Sequence, residues 1–417
     1  MRKLVMAARL DQIPALALRP SSPRGRLWVG LLLLFLTLGL AAAWLFVDQS
    51  LAEQPVEFWI LAAGIPCGCW CLLFLCRAIH YLGLETAANG WNQAREEHLS
   101  RTLQIARRHQ HVLDVSLYTA LRADDQTASE QLDALLNDTK ALKTQPCRQE
   151  GIALHSRLAG EESREPKQVV RETLLLVLTD LAKTLDRLPE QTSLALLLEV
   201  DSALSEADTA EAWREAWQAA GIRQSATPLN GRGLEALDQW LDERSGDPAL
   251  LLVVALQVAP QLPANTAEVA VGLLLGNPGH HSPLTSMACL HRPEQEGGAP
   301  GEGLRQAADL ALNWVPVASS RIEHVWRVGI AAQREASMTT VTHALELSTR
   351  HATAHHNLDT LLGYPGKAAP WLAIAAASQA LQRGAGPQFI FSGEGADASG
   401  LWGTVLMPVP PIKQQEF

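Results

Sequence analysis

The sequence predicts an α/β protein built as an N-terminal transmembrane helical hairpin followed by a layered α/β soluble domain. Three observations predict it. Two long apolar runs stand near the N-terminus, a short acidic link joins them, and continuous apolar strand patterns alternate with helical ones through the rest of the chain. The composition agrees: apolar residues make up 47% of the 417 and charged residues 19%, which excludes wholesale disorder and suits two or three folding units. Against 34 Lys and Arg stand 44 Asp and Glu, a dispersed net charge of -10 that offers nucleic acid no basic surface. With 29 Gly and 6 Cys in so long a chain, collagen-like and disulfide-framework classes are excluded too.

The hairpin comes first. Residues 1–26 are basic, with Arg2, Lys3, Arg9, Arg19, Arg24 and Arg26. Leu27 to Val47 is an unbroken apolar run, long enough at about 1.5 Å per residue to cross a hydrocarbon core of roughly 30 Å. Phe58 to Cys76 is a second run without charge. The link, Asp48 to Glu57, carries Asp48, Glu53 and Glu57 and no Lys or Arg, so the spans are antiparallel neighbours within residues 27–79. Basic residues also follow the second run, at Arg77, Arg95, Arg101, Arg107 and Arg108, which predicts both ends in the cytoplasm of a bacterial inner-membrane protein. Trp28, Trp44 and Trp59 fit interfacial anchors. A signal peptide is the poorer reading, because the first run exceeds an ordinary h-region and a second span follows at once. Cys67, Cys69, Cys71 and Cys76 lie in the second span. Alternate helical positions point about 200° apart, so these thiols read as packing residues rather than metal ligands.

Residues 80–111 are polar and read as a helical or extended connector, and residues 112–408 as the soluble α/β domain. Val112 to Leu121 alternates like a strand, Ser129 to Leu142 has helical spacing, and residues 143–169 look like a surface loop. Val170 to Leu188 is a strong helix stopped by Pro189. Then strand patterns at Thr192–Val200, Ala249–Val258, Val269–Leu275 and Ser286–Leu290 are interleaved with helices at Ala207–Gly221 and Gly233–Arg244. Leu304–Trp314 reads as helix, Ile322–Ile330 as strand, and Thr360–Leu381 contains a long Ala-rich helix. Strands Gln388–Ser392 and Leu401–Met407 close the domain before a Pro-rich tail at 409–417.

The runs DPALLLVVALQV, EVAVGLLLGN and MACLHRP, the stretch LDTLLGYPGKAAPWLAIAAASQALQRG, and the closing FIFSGEGADASGLWGTVLM together resemble the strand series, buried Ala-rich helix and final hairpin of thiolase-fold proteins such as β-ketoacyl synthases. The resemblance covers residues 190–410 and contains no diagnostic short motif. It implies a cysteine nucleophile at a strand-to-helix elbow and two histidines that polarise a thioester. This sequence departs from that pattern. Cys147 sits in a polar stretch, Cys289 lies in a strand pattern, and the turn before the Ala-rich helix reads Gly363-Tyr364-Pro365-Gly366, with tyrosine where a synthase places histidine. The resemblance therefore implies a degenerate, noncatalytic relative.

Other candidate sites are weak. His280 and His281 form one pair. His351 and His355, four apart, would share a helix face, near His356 and Asp359, but no metalloprotease pattern follows. Residues 393–400, GEGADASG, lack the Lys and the following helix of a phosphate loop and read as a hairpin turn. Asp201, Glu206 and Asp208 follow a strand, where helix N-terminal charge explains them. No catalytic, cofactor-binding or metal-ligating residue is assigned. The expected function is a membrane-anchored noncatalytic interaction protein whose partners are the bilayer and a protein. Bacterial type VI secretion, with the chain as immunity protein or effector adaptor, is an associated expectation that no residue carries. The alternative is a membrane-bound acyl-transfer or lipid-modifying enzyme with a degenerate ketosynthase-like cleft.

Overall fold

The computed structural model describes residues 14–46, 55–123, 126–148, 151–160, 165–278, 284–298, 302–347, 355–393 and 400–410. It divides into two compact units, one up to Leu103 and the other from Gln104 onward.

The first unit is helical. Helix α1 spans Gly25–Phe46; α2 is the single turn Pro55–Trp59, continued by a π-helical turn at Ile60–Gly64 and then by α3, Ile65–Ala106. The π turn has an identifiable cause. Pro66 has no N–H to give the Ala62 carbonyl, and the preceding Ile65 N–H reaches back five residues to Ile60 instead. Trp28 packs edge-on against Trp70 and Phe74, while Gly39 lies against Ala62 and Pro66, so α1 and α3 run antiparallel. A Cβ at Gly39 would come within 2.5 Å of the Ala62 carbonyl oxygen, a closeness only glycine permits. Two helices here are long and apolar enough to cross a membrane, and Leu33, Leu34, Leu38, Leu72, Leu75 and Ile79 on them are exposed. The expected connector is largely helix: α3 continues unbroken to Ala106. Residues 14–17 lie along it, with Arg95 donating to the Pro14 carbonyl at 2.7 Å and Ala17 donating to Asn92 at 2.9 Å.

The second unit is the α/β domain. Its strands are β1 (His109–Tyr118), β2 (Lys143–Pro146), β3 (Ile152–His155), β4 (Leu194–Asp201), β5 (Ala226–Pro228), β6 (Leu250–Gln257), β7 (Val269–Gly276), β8 (Ala288–His291), β9 (Glu294–Gln295), β10 (His324–Val328), β11 (His355–Asn357), β12 (Gln388–Ser392) and β13 (Trp402–Met407). Its helices are α4 (Ala128–Leu136), α5 (Pro166–Leu185), α6 (Glu206–Ala219), α7 (Gly233–Glu243), α8 (Glu302–Asn313), α9 (Glu335–Ala344), α10 (Leu358–Leu362) and α11 (Ala369–Gln382).

The ladder order is β11-β10-β12-β13-β8-β1-β7-β6-β4-β5. Numbering the strands of each half separately shows a duplication. The first half (β1, β4, β5, β6, β7) and the second (β8, β10, β11, β12, β13) both read 3-2-4-5-1, with the fifth strand antiparallel to its neighbours in each. The antiparallel ladder of β1 with β8 joins the halves.

Layering follows from strand alternation. On β6, Leu251, Val253 and Ala255 face a core shared with α7 and α11, whereas Leu250, Leu252 and Val254 face α5 and α6. On β12, Ile390 joins the shared core while Phe389 and Phe391 face α8 and α9. Helices α7 and α11 thus form a central layer between the half-sheets. The expectation that the Ala-rich helix is buried on every side holds, since Ala369 through Leu381 are all buried in α11.

One expectation changes. Residues 143–169 are not simply a surface loop. They hold the β2–β3 hairpin, tied to the sheet by the buried pair Arg148–Glu268 at 2.8 Å, with Glu268 also accepting from the Leu158 and Ala259 N–H groups. The Ala-rich helix expected within Thr360–Leu381 is α11, and the glycine turn expected before it runs from Gly363 to Ala368, after the short helix α10.

Candidate functional site

In each half the third strand leads towards a central helix, so the fold has two strand-to-helix elbows. In the first half, β5 ends at Pro228 and α7 begins at Gly233. Arg232 stands at the N-cap without a side-chain capping bond. The orphan N–H of Gly233 is instead satisfied by the Glu199 carboxylate at 2.7 Å, and the other Glu199 oxygen accepts from the Trp371 indole of α11 at 2.6 Å. A buried acid on β4 thus holds the starts of both central helices, where helix N-termini favour negative charge.

In the second half β11 leads through α10 to the turn Gly363-Tyr364-Pro365-Gly366. This turn docks on the strand ends of the first half. The Gln257 amide at the end of β6 donates to the Tyr364 carbonyl at 2.7 Å and to the Ala267 carbonyl at 2.8 Å. Gly366 has φ +58, and a Cβ there would lie 2.1 Å from Gln257 Oε1 and 2.6 Å from Asp201 Oδ2. Position 366 therefore requires glycine for both conformation and space. The place where the parallel strands β4 and β6 end is filled by packed backbone.

The two cysteines of the α/β unit lie outside both elbows. Cys147 follows β2, and Cys289 is in β8, where burial pushes its thiol up to about 11. Among the described residues the histidine group near residue 355 does not converge on one point. His351 lies outside the described residues, as do His280 and His281. His355 and His356 are on strand β11 rather than a helix, which removes the i, i+4 geometry. His356 bonds His324 at 3.0 Å and Asp138 at 3.0 Å, a carboxylate–imidazole–imidazole chain packed against the Trp326 ring. Asp359 turns elsewhere and accepts from the Gly329 and Ile330 N–H groups, both at 2.9 Å, while burial raises its carboxyl to about 6.

Asp201 closes β4 beside Gly366. Glu206 and Asp208 sit in the first turn of α6, where the Ser205 side chain accepts from the Asp208 N–H at 3.1 Å, as helix-start acids should. Strands β12 and β13 pair antiparallel as expected of a hairpin, with residues 394–399 outside the described part. Sequence reasoning missed Glu199, although a lone acid in the apolar run LALLLEV was a visible signal. Among the described residues one group with metal-ligating atoms does converge, on β1 and β8.

The duplicated 3-2-4-5-1 sheet with its central helix layer is a thiolase/ketosynthase-like fold. Solved structures with this fold include the ishigamide ketosynthase/chain length factor (13% identity, TM-score 0.52, covering 72% of this chain and 100% of that one). They also include the ketosynthase ApeO in complex with its chain length factor ApeC from Xenorhabdus doucetiae (9%, 0.51, 72% and 98%). A third is ketosynthase twelve of the bacillaene polyketide synthase of Bacillus amyloliquefaciens (10%, 0.50, 73% and 74%). No protein-family model matches the sequence, and no curated protein does.

Proposed function

We propose that the chain is a membrane-anchored, noncatalytic thiolase-fold protein that acts by binding a protein partner through its α/β unit. One observation carries this reading: the two elbows present Arg232-Gly233 and Tyr364-Pro365-Gly366, packed on Glu199, Gln257 and Asp201, in place of a nucleophile with histidines beside it. Anchoring rests on the two exposed apolar helices and on the basic flanks around an acidic link. In this reading both ends are cytoplasmic, the membrane is a bacterial inner membrane, and a type VI secretion component or effector is the first partner to test.

Chemistry is tested by incubating the detergent-purified full chain with acyl-thioesters and weighing it intact. No acyl group on Cys147 or Cys289 and no loss of thioester are expected, whereas turnover would restore the acyl-transfer alternative. Topology is tested with phosphatase reporters: one after Phe417 should be inactive and one near Gln54 active. The reverse pattern would place the α/β unit outside the cytoplasm. Two-hybrid assays against type VI components should give a signal, and its absence would remove the secretion assignment.

A further inference from the structure

The seam between the two halves carries chemistry that the reading above does not use. In the β1–β8 ladder His109 stands opposite His291 and His111 opposite Cys289. Alternate positions share a face, so the four side chains form a two-by-two array on one side of the sheet, while Val112, Ala288 and Leu290 serve the central core. The ligand atoms of His109, His111 and Cys289 all lie within 4.8 Å of one another. In a tetrahedral zinc site they would be about 3.3–3.8 Å apart, a contraction that side-chain rotation on adjacent strands supplies.

The surroundings orient the imidazoles. His109 Nδ1 faces the Arg107 carbonyl at 3.4 Å, and a carbonyl only accepts, so that nitrogen is the donor and Nε2 keeps its lone pair. His111 Nδ1 is bonded to Ser286 Oγ at 2.8 Å, and with that hydroxyl accepting from Nδ1–H the Nε2 lone pair is left for an ion. His291 is the independent sign. It is only 8% exposed, its ring lies 5.1 Å from that of His109, and its Nδ1 has no hydrogen-bond partner among the described residues. A buried imidazole nitrogen without a partner is costly unless something else coordinates it.

We propose that His109, His111 and Cys289, with His291 as fourth donor, bind one transition-metal ion of the zinc class. Imidazole and thiolate suit that ion. On binding, Cys289 gives its thiol proton to solvent and the sulfur bonds the metal. His109 and His111 are half-buried, which leaves the ion a way in from solvent. The site pins β1 to β8, and so fastens one half of the duplicated sheet to the other.

The test uses the detergent-purified full chain, stripped with chelator and titrated with Co²⁺ as a spectroscopic probe, then with Zn²⁺ in competition. One equivalent of Co²⁺ should bind, with a near-ultraviolet sulfur-to-cobalt charge-transfer band that Zn²⁺ abolishes. Cys289→Ser should lose the band and Cys147→Ser should keep it. His111→Gln, at a half-buried position where misfolding is less of a concern, should weaken binding at least tenfold with the circular dichroism spectrum unchanged. Ser286→Ala should weaken it by about tenfold through loss of ring orientation. Absence of stoichiometric binding, a band that survives in Cys289→Ser, or equal affinity in His111→Gln would each overturn the site.

Discussion

The two halves of the α/β unit share a strand order and differ in how the chain passes from the third strand to the central helix. In the first half the elbow is direct, and its helix start is neutralised by a buried acid from the neighbouring strand, Glu199. In the second half an extra helix intervenes, and the turn that follows is pressed against the strand ends of the first half. One elbow receives a side chain from β4; the other seats its backbone on the ends of β4 and β6. The difference teaches that repeated topology does not fix the chemistry at equivalent places, because each site is decided by the particular groups packed against it.

The sharpest way to break the comparison is Gly366→Ala. Left-handed strain of about 1–2 kcal/mol and overpacking of about 1–3 kcal/mol add to a loss of roughly 2–5 kcal/mol, read as a lowered midpoint in denaturant titration of the full chain. Parent-like stability would mean that the second elbow is not seated on Gln257 and Asp201. The matching change in the first elbow, Glu199→Leu, strands the Gly233 and Trp371 donors and should cost about 2–4 kcal/mol by the same measurement.

A third prediction uses pH. Burial in the second half raises Glu294 to about 7, its hydrogen bond from the Trp314 indole notwithstanding. Folded Glu294 keeps its proton where the unfolded carboxyl, near the ordinary 4.5, has released it. That contribution is therefore full below about pH 4.5 and is lost as pH rises to about 7, on the order of 3 kcal/mol in all. Asp359, raised to about 6, acts with the same sign lower in the range. Glu294→Gln should flatten the fall in thermal midpoint between pH 6 and 7, and an unchanged slope would refute the assignment. The smallest effect concerns the layer both halves share: Ala375→Leu or Ala376→Leu, each at a fully buried position of α11, should cost ~1–3 kcal/mol through overpacking. If both melt like the parent, α11 is not confined from both sides.

The sequence made the apolar parts legible. Both long helices, the buried strands β4, β6 and β7 and the Ala-rich helix follow from continuous apolar runs. Polar elements were read less well. Strand β1 begins three residues before the predicted start because His109 and His111 look like connector residues until β8 is set beside them. Helix α9 and strand β11 were missed for the same reason. The β2–β3 hairpin depends on Arg148 and Glu268, partners far apart in the chain, and no local pattern announces such a pair. The duplication was invisible because the halves share pairing order rather than residue pattern. At the candidate site, the turn Gly363-Tyr364-Pro365-Gly366 was readable, whereas its contacts with Gln257 and Asp201 of the other half were not.

The position of β1 has a consequence in time. It is the first strand of the α/β unit to be synthesised, yet its neighbours β7 and β8 come from residues made roughly 150 or more later. At ordinary translation rates of about 5–20 residues per second, that delay is on the order of 8–30 s. Throughout it, β1 has two bare edges, which is the state that invites wrong pairing or capture by a chaperone. The polar start His109-Gln110-His111 makes it a poorer template for a foreign strand while it waits.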